Sequence, residues 1–406
     1  MLIDPSRVRV PGPLAPFVTG FADELARQGY TPLSARNQIR LMADLSRWLL
    51  SEDIGAGDLS AANVDRFLCH RRATGRRRLR SIKAARPILA YLYELDVARP
   101  PPPAQPNGPV ERMLERYRIY LTVERGLVRE TARGYLDSMR PFLVGRVSSD
   151  GLALNLEHLC AADVISFVVA RCPRQGRSAT KLTATALRSL LGFLHFSGLI
   201  ERSLTSSVPS VACRRLAGLP KGLEPGQVLG LLASCDKSTT NGSRDFAVLT
   251  MLVRLGMRAG EVAKLRLEDI DWRAGAIVAR GKANRAERVP LPSDVGEAVA
   301  AYLRQGRPAS ADGRTVFVRI KAPHRAITSG GVTQIVAAAA RRAGLGVIHA
   351  HRLRHTAATQ MLRAGATLPE VGQVLRHRRA MTTAIYAKVN HEALRTIARR
   401  WPGDIL

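Results

Sequence analysis

The sequence predicts a mainly α protein with one small β-sheet in its C-terminal half, an α+β architecture led by two helical domains of similar pattern. Three observations carry this expectation. Apolar residues recur at helical spacings along most of the 406 residues. Short runs of β-type residues flank a turn at Ala276–Ala279 and Arg288–Leu291. A helical pattern in the first quarter of the chain returns in the second, at a spacing close to 100 residues.

The repeat is visible residue by residue. Leu59-Ser60-Ala61-Ala62-Asn63-Val64-Asp65-Arg66-Phe67-Leu68 matches Leu159-Cys160-Ala161-Ala162-Asp163-Val164-Ile165-Ser166-Phe167-Val168. Upstream, Gly29 to Arg36 parallels Gly126 to Arg133; downstream, Leu89-Ala90-Tyr91-Leu92 parallels Leu191-Gly192-Phe193-Leu194. Each copy reads as four or five short helices. Between them, Arg99 to Pro109 is too proline-rich for helix or central strand and reads as a semi-rigid spacer. A weaker boundary lies near Cys213 to Gly222. Expected domains are therefore 1–98, a linker at 99–109, 110–213 and 214–406.

In the last segment, Phe246, Leu249, Leu252 and Val253 share one helical face, and Gly256 ends that helix. A turn resumes from Glu261 to Leu265, and the two strands enclose Gly281-Lys282-Ala283-Asn284-Arg285. Helices should begin near Ser293, Thr328, Ala350 and Thr367, the last with a capping box closed by Glu370.

Charge narrows the function. Lys+Arg 62 against Asp+Glu 33 leaves +29, mostly from arginine, so a polyanion is the expected partner. Two basic loops fit double-stranded DNA. The first offers Arg71, Arg72, Arg76, Arg77, Arg78 and Arg80; the aligned loop of the second copy offers Arg174, Arg177 and Lys181. Five scattered cysteines without a C-x-x-C pair fit reduced thiols, not a disulfide framework or zinc site. The start of the chain lacks a signal-peptide pattern and no stretch is apolar enough to span a bilayer, so a cytoplasmic location without membrane association is expected.

The chemistry concentrates near the C-terminus. Arg258 follows a helix-breaking glycine, and Glu261, three residues on, faces the same side and is placed to orient it. His351 and Arg354 stand at i and i+3, presenting both side chains to one phosphate. His349 and Arg352 also satisfy H-x-x-R, but only the frame from His351 runs on through Leu353, His355, Thr356, Ala358 and Thr359. Planar guanidiniums meet the charge that builds on a five-coordinate phosphorus, which makes Arg258 and Arg354 the candidate clamps. Tyr386 is the candidate nucleophile, with cationic neighbours expected to favour its phenolate; Tyr302 reads as core.

Together with Leu375-Arg376-His377 and Thr382-Thr383-Ala384-Ile385-Tyr386, this set resembles the catalytic core of the tyrosine recombinases, the family of phage integrases and Xer-type enzymes. The resemblance implies site-specific cutting and rejoining of DNA through a 3′-phosphotyrosyl link, with no cofactor. It implies Lys282 as general acid to the leaving 5′ oxygen, His351 handling the tyrosine proton, and His377 at the last histidine position. It departs from the family at Arg376, where Leu-Gly-His is usual, and in Arg378-Arg379. The second helical copy occupies the place of the family's core-binding domain; the first is an extra. The resemblance also implies a homo-tetramer on two DNA sites, with companion recombinases or DNA-bending proteins as further partners. A terminal helix bearing Arg395, Arg399 and Arg400 is either passed to a neighbouring protomer or folded back. Rival readings are a type IB topoisomerase or telomere resolvase, a catalytically decayed DNA-binding protein, and a metal-dependent nuclease. The last is disfavoured because only Glu261, Glu268, Asp269 and Asp271 lie near the motifs.

Overall fold

Side-chain caps set several helix starts in the computed structural model, which describes residues 8–76, 78–101, 105–211, 222–281, 286–311, 313–377 and 380–389. After α1 (Val18–Arg27), the chain enters α2 (Pro32–Ser51) through extended Thr31, whose hydroxyl accepts the Ser34 N–H. Pro32 sits in the first turn, where its missing donor is no loss. Ser60 caps α3 (Ala61–Ala73) in the same way, and α4 (Ile82–Glu94) follows. Their apolar faces close one core around Leu14, Phe21, Ile39, Leu45, Phe67 and Leu92. Burying each such side chain stabilises by roughly 1.5–3 kcal/mol.

A second set of helices has its own core. α5 (Gly108–Ile119) runs on through one wide, π-type turn, Tyr120–Glu124, and is followed by α6 (Arg129–Val144), α7 (Ala161–Arg171) and α8 (Arg177–Phe196). Tyr117, Phe142, Val164, Leu187 and Leu190 are buried at its centre. α5 begins inside the stretch expected to be spacer, because Pro109 is tolerated in a first turn.

The C-terminal portion is mixed as expected. α9 (Pro225–Ala233) precedes α10 (Thr240–Arg254), which is capped by Thr239 and buried along most of its length. Gly256 ends this region at φ +57°, and α11 (Ala259–Lys264) starts at once. β1 (Ile270–Asp271), β2 (Ala276–Arg280) and β3 (Ala286–Pro290) form an antiparallel sheet in that order. Ile277 pairs with Val289, and both face the core. β1 is new relative to the sequence reading, since two residues are too short to show a period. α12 (Ser293–Ala301), α13 (Ser329–Arg342), α14 (Ala350–Arg363) and α15 (Leu368–Val374) start at or one residue after the anticipated positions. α16 (Ala380–Thr383) and a tight turn, Ala384–Val389, close the described chain. Around α10 lies the main core, with a smaller cluster of Ala358, Leu362, Val371, Leu375 and Tyr386 beside it.

Two compact units result, Pro101–Arg215 and a unit of Met1–Pro100 with Leu216–Leu406. Among the described residues no helix is long and apolar enough to cross a membrane.

Candidate active site

The break between α10 and α11 builds the first wall of the site. Gly256 adopts the left-handed conformation, and a Cβ there would meet Leu375 Cδ2 at 2.4 Å. Two residues on, extended Arg258 is the N-cap of α11 and Glu261 is its third residue. Glu261 reaches back, as that spacing predicts: Oε2 accepts the Arg258 backbone N–H at 2.9 Å and Oε1 accepts Nη1 of Arg258 at 2.6 Å. Oε2 also accepts Nη2 of Arg376 at 2.8 Å. Burial alone would raise the Glu261 carboxyl pKa, but Arg376 and the bonds from Arg258 outweigh it, and the net shift is downward. Glu261 is thus an ionised, buried carboxylate serving two arginines.

Helix α14 supplies the second wall. His349 is its extended N-cap, so the H-x-x-R frame within the helix is that of His351 and Arg354. Arg354 is 2 % exposed. Its Nη1 donates to the Gly256 carbonyl at 2.6 Å and its Nη2 to the Leu375 carbonyl. Burial, then Arg258 and Arg376, lowers its pKa to about 10, which leaves it charged at neutral pH. The His351 and His355 rings meet edge to face with centroids 4.4 Å apart.

The third wall is the chain after α15. Leu375 and Arg376 end the helix, Arg376 at φ +56°, and the Arg376 carbonyl accepts Nη2 of Arg258 at 3.3 Å. His377 Nδ1 lies 2.8 Å from the Thr383 hydroxyl. Tyr386, only 2 % exposed, places its hydroxyl 2.7 Å from Nδ1 of His355.

Arg258, His351, Arg354, His377 and Tyr386 are therefore brought around one point, while Lys282, Arg378, Arg379 and the terminal arginines lie outside the described residues. Two expectations change. The imidazole bonded to the tyrosine hydroxyl is His355, not His351, because the i+4 position of α14 faces the terminal turn. And Tyr386 is not shifted toward phenolate: burial pushes its pKa up to about 12, and the opposing pull of Arg354 is smaller. The histidines shift the other way. Burial first, then the neighbouring His351 and Arg354 for His355, lowers His355 to about 4; burial and then Arg354 lowers His377 to about 4. Both are neutral near pH 7, so His355 can accept the phenolic proton. The i, i+4 spacing from His351 was a usable sign for His355. For the partnership of Arg376 with Glu261 there was none, since the two lie 115 positions apart.

The proposed DNA loops divide. Arg72, in the last turn of α3, and Arg76, Arg78 and Arg80 after it are exposed, and Arg174, Arg177 and Lys181 are exposed around the start of α8. Arg77 is outside the described residues. Arg71 is different: it is buried, ion-pairs with Asp44, donates to the Arg78 carbonyl and lies over the Phe67 ring. Its charge is spent within the segment, a correction to its assignment as a DNA contact.

Comparison with known proteins fits this geometry. Residues 221–393 match the model of the phage integrase family. The chain is 40% identical over 403 residues to a Sinorhizobium fredii protein named as an integrase/recombinase, y4rA, covering 97% of this chain and 96% of that one. It is 30% identical to the tyrosine recombinase XerD of Listeria monocytogenes, over 71% of this chain and 98% of the other. Among solved structures, XerH site-specific recombinase in a post-cleavage complex with palindromic difH substrate shares the fold, with TM-score 0.56, 18% identity, and 82% and 93% of the two chains covered.

Proposed function

The chain belongs to the phage integrase family of tyrosine recombinases, and from that premise we propose that Tyr386 is its nucleophile, with Arg258 and Arg354 as the clamps on the scissile phosphate. The protein is a site-specific DNA recombinase, an enzyme that cleaves and rejoins DNA strands. One observation supports the residue roles above the rest: carbonyls of residues 256, 375 and 376 hold both guanidiniums beside the Tyr386–His355 pair.

In this reading the Tyr386 oxygen attacks phosphorus and passes its proton to Nδ1 of His355. The phosphorus–5′-oxygen bond breaks, and Lys282 supplies the proton that the 5′ oxygen takes up. A 3′-phosphotyrosyl ester remains, conserving the bond energy, and a 5′ hydroxyl of a partner strand reverses the step. Arg258 and Arg354 meet the charge on the non-bridging oxygens. His351 and His377 line the same phosphate. Tyr386 is almost wholly buried, so in this reading its turn moves to present the phenol to the phosphate.

Exchange between two duplexes breaks one phosphodiester in each of four strands, so four tyrosines must act, and the assembly we infer is a homo-tetramer on two DNA sites. We also infer that 1–98 is a duplicate of 110–213, joined to it by 99–109 and followed by the catalytic portion, 214–406. Matched packing supports this: Trp48 meets Phe67 across α2 and α3 at 5.9 Å, and Phe142 meets Phe167 across α6 and α7 at 5.1 Å.

The test is covalent trapping on a nicked duplex carrying the site that the full chain selects from a random-sequence pool. Wild type should form a protease-sensitive adduct and Tyr386→Phe none, with equal DNA binding. An adduct formed by Tyr386→Phe would refute the nucleophile; tight binding without an adduct from either would favour a decayed binder.

A further inference from the structure

One buried cation of the site has no role in the chemistry above. Arg376 combines three features that each disfavour an arginine. Its backbone is left-handed, at φ +56°, a conformation any side chain with a Cβ resists. Its guanidinium is buried, with 4 % of the side chain exposed. And its Nε has no hydrogen-bond partner among the described residues. Glycine would escape all three. Strain that persists at a site is retained by what the surroundings gain from it.

The gain is in the orientation of the two clamps. The left-handed turn at Arg376 directs successive carbonyls inward, that of Leu375 to Arg354 and that of Arg376 to Arg258. Its side chain then turns back, Nη1 to the Val374 carbonyl at 2.9 Å and Nη2 to Glu261 Oε2 at 2.8 Å. That second bond matters for Arg258. A carboxylate left to itself takes a guanidinium by both oxygens, in a fork that would use the donors a phosphate needs. With Oε2 occupied by Arg376 and the Arg258 N–H, only Oε1 holds the Arg258 guanidinium, at 2.6 Å. The Arg258 side chain stays 44% exposed, with donors free for an incoming anion.

We propose that Arg376 is a positioning residue for strand cleavage: through Glu261 and the carbonyls of its own turn, it sets the direction in which Arg258 meets the scissile phosphate. This rests on Arg258 being a phosphate clamp.

Single-turnover cleavage and equilibrium binding on the selected, nicked duplex test it with the full chain. Arg376→Gly relieves the left-handed strain but takes the buried partner from Glu261 Oε2, so it should fold with reduced stability and bind DNA equally. It should cleave roughly 10- to 100-fold more slowly, the loss typical of a misaimed catalytic group. Arg376→Lys restores a cation and should recover part of that rate. Glu261→Gln combined with Arg376→Gly should be no slower than the slower single variant, because both act on Arg258 through one carboxylate. Wild-type cleavage by Arg376→Gly, or penalties that multiply in the double variant, would overturn the proposal. Should Arg376→Gly not fold, Arg376→Lys decides: a wild-type rate overturns it and a reduced rate with unchanged binding upholds it. Arg258→Ala separates the premise, since wild-type cleavage there would sink the clamp reading itself.

Discussion

On the proposed assignment, Tyr386 enters its reaction as a neutral phenol with its hydroxyl 2.7 Å from Nδ1 of an uncharged His355. Substituting His355 by Gln should therefore slow adduct formation roughly 100-fold at pH 7.5, the scale of a lost general base, while leaving DNA binding intact. Wild-type cleavage should be flat near neutrality and fall in acid as His355 protonates. The negative charge of a bound phosphate raises that pKa above about 4. His355→Gln should lose that acid limb, and a profile unchanged by the substitution would remove His355 from the proton path. Stability follows the same groups. His355 and His377 titrate at about 4 when folded against 6.5 unfolded, so in that window the unfolded chain binds more protons. Their contribution is complete above pH 6.5 and is lost as pH falls through 4, which a melting series across that range would record.

Two short elements carry the geometry of Arg258 and Arg354. Gly256→Ala forces a Cβ into a left-handed position and against Leu375, whose carbonyl holds Arg354. The expected cost is ~2–3 kcal/mol, or roughly 5–10 °C in melting temperature. Cleavage should fall with it. Helix α15 depends on its capping box, Thr367 with Glu370, and delivers Leu375 and Arg376 at its end. Thr367→Ala should cost ~1 kcal/mol. A loss of cleavage larger than the loss of stability would show that the helix end, not the fold at large, has moved.

Across the whole molecule the excess of positive charge governs DNA affinity. Removing one arginine that neutralises a phosphate should lower the slope of log K against log salt by roughly 0.9. Replacing Arg72, Arg78 and Arg80 together by Gln should flatten the slope by up to ~2.7, the sum over three such arginines, and shorten the nuclease footprint. Identical footprints would exclude the first helical segment from DNA. Arg71→Gln is the contrast: it leaves Asp44 without that partner inside the segment, so it should lower the melting temperature and leave the salt slope unchanged.

Local signals were enough for the class, for the starts of α12 to α15 and for a phosphate chemistry, because caps, helical spacing and the H-x-x-R pair act over a few residues. Chain-wide charge likewise pointed to DNA. Which histidine meets Tyr386, which way burial moves the phenol, and that Arg71 serves the core were decided only by tertiary structure. The same holds for Glu261, which joins Arg258 to a residue 115 positions from it. Desolvation and long-range pairing depend on what packs against a group in space, and no spacing along the chain records that.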